Sequence, residues 1–461
     1  MAVTLETTHG AEQARRVMWP GVKSRAILRL AAPLTAFFGI QTATSLATLA
    51  MVGHLGNAAL AGLGAGGAVY GLTLALLFGI DAAVQPVVSR AAGAGDDERM
   101  ARALVDGQAV AIPLAIVLAL GLLIGAPAIL SAMLPNPAAA AAGAAYVRAA
   151  APSLVFMAFT IPINSAWIGS GRPARAFLVT AVLAQVQIGV TLALVFGLGP
   201  LATMGAAGVG AGLSVASLIG LGLQIALAAR GIPGFLRTRP RLDGVGAIAS
   251  LGWPISLQQA LLQFGLMVAF IIVGRLGAQA AAAANVLISL ATVPIQLAVG
   301  FGVAASTLVG QSLGRGDVAE ARRWGWRTTG LGIALTAPLG LIAVFAPRHL
   351  LGAFLHDPAA LALAVWPARL VGLGVAADAA TRILCFAVRG AGATRIGAAI
   401  PFAAQWVFRL PLGAWAALAL GMGLLGFAAA ETGVTVVEAA LMALIWSGPR
   451  WTRQMAVTAP V

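Results

Sequence analysis

The sequence predicts an all-α membrane protein of twelve transmembrane helices, arranged as two six-helix lobes related by a parallel internal repeat. Three observations carry that prediction. The 461 residues are 60 % hydrophobic and only 9 % charged, whereas about a quarter of the residues of an ordinary soluble domain are charged. The basic residues gather in alternate loops, and the second half of the chain repeats the first at an offset of 221 residues. The composition alone excludes a water-soluble enzyme, and at about 20 residues per crossing the length supplies about a dozen spans.

Apolar runs punctuated by Gly, Pro and Arg place helices 1 to 6 near 26–52, 59–92, 103–133, 138–169, 175–198 and 203–229. Helices 7 to 12 follow near 246–274, 280–313, 327–347, 358–388, 395–419 and 424–447. Runs longer than the minimum accommodate tilt, or kinks at Pro113, Pro162, Pro294 and Pro338. Met1 to Ser24 is polar and the apolar stretch after it is too long for the core of a signal peptide, so no cleavable signal is expected. The polar segment Arg230 to Asp243, containing PGFLRTRPRLD, reads as a linker. It divides the chain into 1–229, an N-terminal six-helix lobe with its tail, 230–243, and 244–461, a C-terminal six-helix lobe with its tail.

The formal net charge is +14, and Lys23 is the only lysine. With the amino terminus inside, the inner loops and tails carry 21 basic residues, among them Arg15, Arg16, Arg90, Arg172, Arg237, Arg315, Arg389, Arg450 and Arg453. The outer loops carry three, Arg148, Arg275 and Arg348. Basic residues stay on the cytoplasmic side of a membrane protein, so both termini and the linker are expected there. The same placement accounts for the charge without a nucleic-acid partner. Cys385 stands alone, which excludes an internal disulfide, and His9, His54, His349 and His356 have no metal-binding spacing. No phosphate-binding loop is present, so the chain is not expected to hydrolyse ATP.

At the 221-residue offset Pro33 meets Pro254 and MVGHLG meets IVGRLG. Gly93, Gly95, Asp96 and Arg102 meet Gly314, Gly316, Asp317 and Arg323, and Gly169 and Gly171 meet Gly390 and Gly392. The chain is therefore two copies of one unit. An even number of helices per copy makes the repeats parallel, and carriers of this build place substrate between their halves. In the Gly-x-Gly-Asp strings after helices 2 and 8 the glycines suit a helix stop and the Asp suits a cap on the next helix.

Of the fourteen acids, Asp81, Asp378, Glu431 and Glu438 fall inside proposed spans, where an unpaired carboxylate costs several kcal/mol. At about 1.5 Å per residue, Asp378 lies about 16 Å from Arg389, Glu438 about 18 Å from Arg450 and Asp81 about 13 Å from Arg90. These three sit near mid-bilayer, whereas Glu431 comes out near the outer interface. Asp378 and Arg382 are one turn apart and able to pair on one face. Gln259 and Gln263 share a face of helix 7 bordered by Phe264, either to bond neighbouring helices or to line a cavity. Gln85 lies one turn beyond Asp81. Glu438 and Asp81 are candidates for the cavity or for hydrogen bonds between helices.

These strings resemble the multidrug and toxic compound extrusion (MATE) family. The likeness rests on PLTAFFGIQTATSLATLAMVGHLG, AAGAGDDERMA and WIGSGRPARA in the first half. In the second half it rests on GWPISLQQALLQFG, VGQSLGRGDVAEAR and DAATRILCFAVRGAG. It spans about Pro33 to Gly433. The resemblance implies a V-shaped pair of bundles alternating between inward- and outward-facing states. It also implies export of organic, often cationic, compounds driven by proton or sodium entry, with no cofactor beyond the coupling ion. The family's Asp of helix 10 is retained as Asp378. Its acid in helix 1 falls on Thr48, the Asn and Asp of helix 5 fall on Gln187 and Thr191, and the Glu of helix 7 falls on Leu262. Coupling is therefore expected in the second lobe, through Asp378 with Arg382 as its counter-charge. The substrate cavity is expected to draw on Gln259, Gln263, Phe264, Gln85, Gln187, Glu438 and Asp81.

A sodium site needs several oxygen ligands, so the loss at Leu262 favours protons as the coupling ion. The expected protein is a monomer in the inner membrane of a bacterium, with a small organic molecule and the lipid bilayer as its partners. Two other functions compete. A flippase for a lipid-linked precursor would show a strongly basic cavity, but Arg29, Arg369, Arg382 and Arg409 are few. A transport-inactive sensor or scaffold is kept in play by the missing acids of the first lobe.

Overall fold

The computed structural model describes residues 22–197, 203–352, 354–355, 357–449 and 451–452. His9, His356, Arg15, Arg16, Arg450 and Arg453 lie outside them. The described residues are helical throughout their regular structure, and eleven of the helices are long and apolar enough to cross a membrane.

Numbered in chain order, the long helices of the first repeat are α1 (Val22–Gly53), α2 (Asn57–Ala94), α3 (Asp97–Met133), α4 (Pro137–Gly169), α5 (Pro173–Phe196) and α6 (Ala206–Gly231). The second repeat has α7 (Leu242–Gly274), α8 (Ala278–Gly314), α9 (Val318–Phe345), α10 (Pro358–Gly390), α11 (394–419) and α12 (Gly423–Ser447). A six-residue helix, Pro347–Gly352, precedes α10. The eleventh crossing is composite: Thr394–Ala403 is α-helical, Ala404–Arg409 widens to π-helix, Leu410–Ala414 returns to α and Trp415–Ala419 widens again. Pro411 has no N–H for the carbonyl four residues before it, and its ring crowds that carbonyl. The widened turn just ahead of it relieves the crowding, and Leu410 N–H donates to the carbonyl of Gln405, five residues back.

The repeat is visible in the backbone. α2 and α8 begin 221 residues apart, as do α3 and α9, and α4 and α10 match at both ends. Gly56 and Gly277, Gly95 and Gly316, and Gly171 and Gly392 are three pairs at the same separation, and all six have positive φ. A side chain is disfavoured there, which is why glycine ends these helices. Asp96 and Asp317 cap the helices that follow: Asp96 Oδ1 accepts from Arg99 N at 2.8 Å and Asp317 Oδ1 from Glu320 N at 2.7 Å. The caps also explain why α3 and α9 begin before their apolar runs do.

The compact units do not break at the Arg230–Asp243 linker. One runs from Ala36 to Ala260, and the other joins Leu261–Val461 to the chain up to Thr35. The division thus falls inside α1 and α7. In the first unit Ser256 Oγ of α7 donates to the carbonyl of Leu76 at 2.7 Å, and its backbone lies against Gly79, where a Cβ would collide. Asp106 of α3 accepts from Arg241 N at 2.8 Å and so caps the start of α7. In the second unit Gly300 of α8 lies against Thr35 of α1. Gly79 and Gly300 are repeat equivalents, and so are Thr35 and Ser256. The backbone approach allowed by these two glycines seats α7 on α2 in one unit and α1 on α8 in the other.

Each unit has its own apolar core. That of the first is built on Leu77, Leu104, Leu130, Leu154, Ile163 and Trp167, and one in the second on Val273, Leu287, Leu351, Ala364 and Leu424.

Candidate functional site: a charged seam in the second unit

Helix periodicity lines up polar residues on two neighbouring helices. On α10, Asp378, Arg382, Cys385 and Arg389 follow at spacings of four, three and four, and on α12 Glu431, Thr435 and Glu438 follow at four and three, so each set shares one face. Arg382 Nε donates to Asp378 Oδ2 at 2.7 Å, and both side chains are half-buried. Further along α10, Arg389 Nη2 and the Cys385 thiol both donate to the carbonyl of Gly397, each at 3.1 Å.

The widened turn of α11 supplies a third cation to the seam. Arg409 Nη1 donates to Gln405 Oε1 at 3.0 Å. Its Nη2 donates to Thr435 Oγ1 at 3.2 Å and to Glu438 Oε2 at 3.1 Å. Its Nε lies 3.2 Å from Glu431 Oε1 but out of line, so this contact is an ion pair without a hydrogen bond. Glu438 is 5 % exposed, Arg409 16 % and Glu431 40 %. Two ion-paired groups thus lie on neighbouring, packed helices: Asp378 with Arg382 on α10, and Glu431 and Glu438 of α12 with Arg409. Charge-assisted hydrogen bonds of this kind are about twice as strong as neutral ones, and they offset the desolvation of the ions they join.

The expected residues are distributed unevenly. Asp378, Arg382 and Glu438 come together in the seam. Glu431, expected near the outer interface, shares its guanidinium with Glu438 and belongs to the seam too. Gln259 and Gln263, expected as a pair, fall on opposite sides of the division inside α7, at Ala260 and Leu261. Gln263 is exposed; Phe264, half exposed, stacks on Trp406 of α11 with ring centroids 5.9 Å apart. Gly265 lies against Gln405, the same amide that receives Arg409.

Asp81, Gln85 and Gln187 belong to the first unit. Asp81 accepts a hydrogen bond from Ser165 Oγ of α4 and, among the described residues, has no ion pair. Gln85 is buried and Gln187 half-buried. Near Ser165, Asn164 Oδ1 accepts from Gln224 Nε2 at 2.6 Å, and Gln224 Oε1 accepts from Trp167 Nε1 at 3.2 Å. Thr48 returns its hydroxyl to the carbonyl of Thr44 at 2.9 Å. Arg409, Glu431, Thr435 and Gln405 were not foreseen as a site. The four-three spacing of Glu431, Thr435 and Glu438, with one arginine in the preceding helix, was the available signal.

A duplicated set of apolar helices, with acids and arginines paired along and between its spans, is the build of a membrane carrier. The family model described as MatE matches residues 33–192 and 254–415, one segment in each repeat. The chain belongs to the MATE family: it is an efflux transporter and not an enzyme. It is 31 % identical over 422 residues to a probable multidrug resistance protein NorM of Deinococcus radiodurans, covering 87 % of this chain and 90 % of that one. It is likewise 31 % identical over 434 residues to a probable multidrug resistance protein NorM of Bradyrhizobium diazoefficiens, covering 90 % and 91 %. Its fold matches that of the eukaryotic MATE transporter AtDTX14 with a TM-score of 0.80 at 22 % identity, over 94 % of this chain and 98 % of that one.

Proposed function

We propose that this protein is a multidrug antiporter that exports small amphipathic, often cationic, organic compounds in exchange for protons. The observation that carries the coupling role is the bond of 2.7 Å between Asp378 and Arg382, one turn apart on a membrane helix. A carboxylate at that depth needs one positive partner. Arg382 fills the role in this structure, and a proton replaces it when the pair is apart. A lobe motion that separates and rejoins the pair would load the proton on one side of the membrane and discharge it on the other.

The names of the relatives support a broad range of drugs as substrates, and the arginine count of the loops supports a cytoplasmic location for both termini. One chain holds both repeats, which supports a monomer, and the bacterial origin of its relatives supports a bacterial inner membrane. A flippase is less well supported, because Arg382 and Arg409 face acids and Arg369 lies over Trp366, 4.7 Å from the ring centre.

In vesicles given a pH gradient and no sodium, the wild-type protein should move substrate. Asp378→Asn should abolish that transport while leaving the protein folded, and Arg382→Ala should shift its pH dependence. Transport driven only by a sodium gradient, or normal transport by Asp378→Asn, would overturn this reading.

A further inference from the structure

The seam holds three carboxylates and three guanidiniums, of which Arg389 donates to the carbonyl of Gly397. Asp378 is matched by Arg382 on its own helix. Arg409 directs all of its hydrogen bonds to Gln405, Thr435 and Glu438, and Glu438 is the most deeply buried of the acids. Glu431 is left with an out-of-line contact at Nε and the most exposed carboxylate of the three. Glu431 is therefore the carboxylate of the seam that, among the described residues, no hydrogen bond engages. A carboxylate opening onto hydrocarbon would cost several kcal/mol, so its open face belongs to a wet surface.

We infer that Glu431 is the receptor for the positive charge of the transported compound, a monovalent organic cation with an apolar body. A metal ion would need several oxygen ligands, and a guanidinium nitrogen already lies 3.2 Å from this carboxylate. A bulky cation with spread charge keeps its centre farther from Arg409 and still lays its apolar body on the surface beside it. The same widened turn of α11 carries Trp406, stacked with half-exposed Phe264, which adds aromatic surface of the kind that attracts such cations. Arg409 acts here as a positioning residue: held by Glu438, it is kept from closing fully on Glu431.

This inference rests on the export reading above, but its test is binding at equilibrium, which needs no gradient and so succeeds or fails separately from the assay of Asp378→Asn. The full-length protein in detergent is titrated with tetraphenylphosphonium and, for comparison, with neutral triphenylphosphine oxide. Glu431→Gln should weaken tetraphenylphosphonium binding at least tenfold and leave the neutral compound unaffected, whereas Glu431→Asp, which keeps the charge, should retain most of the affinity. Glu438→Gln should also weaken the cation, by about threefold or more, because Arg409 is then free to pair with Glu431. Unchanged cation binding in Glu431→Gln, or equal losses for the cation and the neutral compound, would overturn the assignment. If Glu431→Gln does not fold, a Glu431→Asp variant that binds no tighter than Glu438→Gln overturns it equally.

Discussion

Arg409 sits 16 % exposed between a fully engaged carboxylate and a loosely engaged one. Removing one member of a buried ion pair strands the other without a partner, which costs about 3–5 kcal/mol in soluble proteins, whereas removing both with apolar replacements is often nearly neutral. Arg409→Met should accordingly lower the midpoint of thermal unfolding in detergent well below that of the wild type, at a cost of about 3 kcal/mol. Arg409→Met combined with Glu438→Met should recover much of the loss. A single variant that melts like the wild type would show that the seam holds the helices together by apolar packing alone. The same residues mark what could be read in advance. Asp378 and Arg382 were legible as a pair because their partnership is written along one helix, four residues apart. Arg409 and Glu438 lie 29 residues apart in the sequence, and only the packing of α11 on α12 brings them to hydrogen-bonding distance.

At the scale of elements, the helix ends were more legible than the helix interiors. The Gly-x-Gly-Asp strings announced both the stops of α2 and α8 and the caps of α3 and α9, because one glycine and one carboxylate suffice for each. The widened turns of α11 were not legible, since an apolar run reads the same whether its hydrogen bonds reach back four residues or five. Nor was the seating of α7 on α2, which depends on a missing side chain. At Gly79 a Cβ would meet the backbone of Ser256, whereas at Gly71, two turns earlier on the same helix, nothing lies within 4 Å. Gly79→Ala should therefore lower the thermal midpoint, by an overpacking cost of about 1–3 kcal/mol. Gly71→Ala should leave it unchanged or raise it through helix propensity. Equal effects of the two substitutions would mean that α7 does not seat against α2 as described.

For the whole molecule, the repeat was legible because a duplication leaves glycines, caps and prolines at one constant offset, and these are the residues that backbone geometry holds in place. The orientation in the membrane rests on a different signal, the arginine balance of the loops. A cysteine placed at Leu236, in a Cys385→Ala background, should resist an impermeant thiol reagent in intact cells and react once the membrane is opened. Labelling in intact cells would invert the topology.

The shared membership of α1 and α7 has a consequence for biosynthesis. The unit from Ala36 to Ala260 has all of its parts as soon as the ribosome has made the first half of α7. The other does not: residues 22–35 are made ahead of that unit's larger part, Leu261–Val461, and their seat at Gly300 appears more than 250 residues later. The first repeat can therefore be inserted and packed early in translation, while the opening half of its own first helix waits in the nascent chain for a unit that does not yet exist.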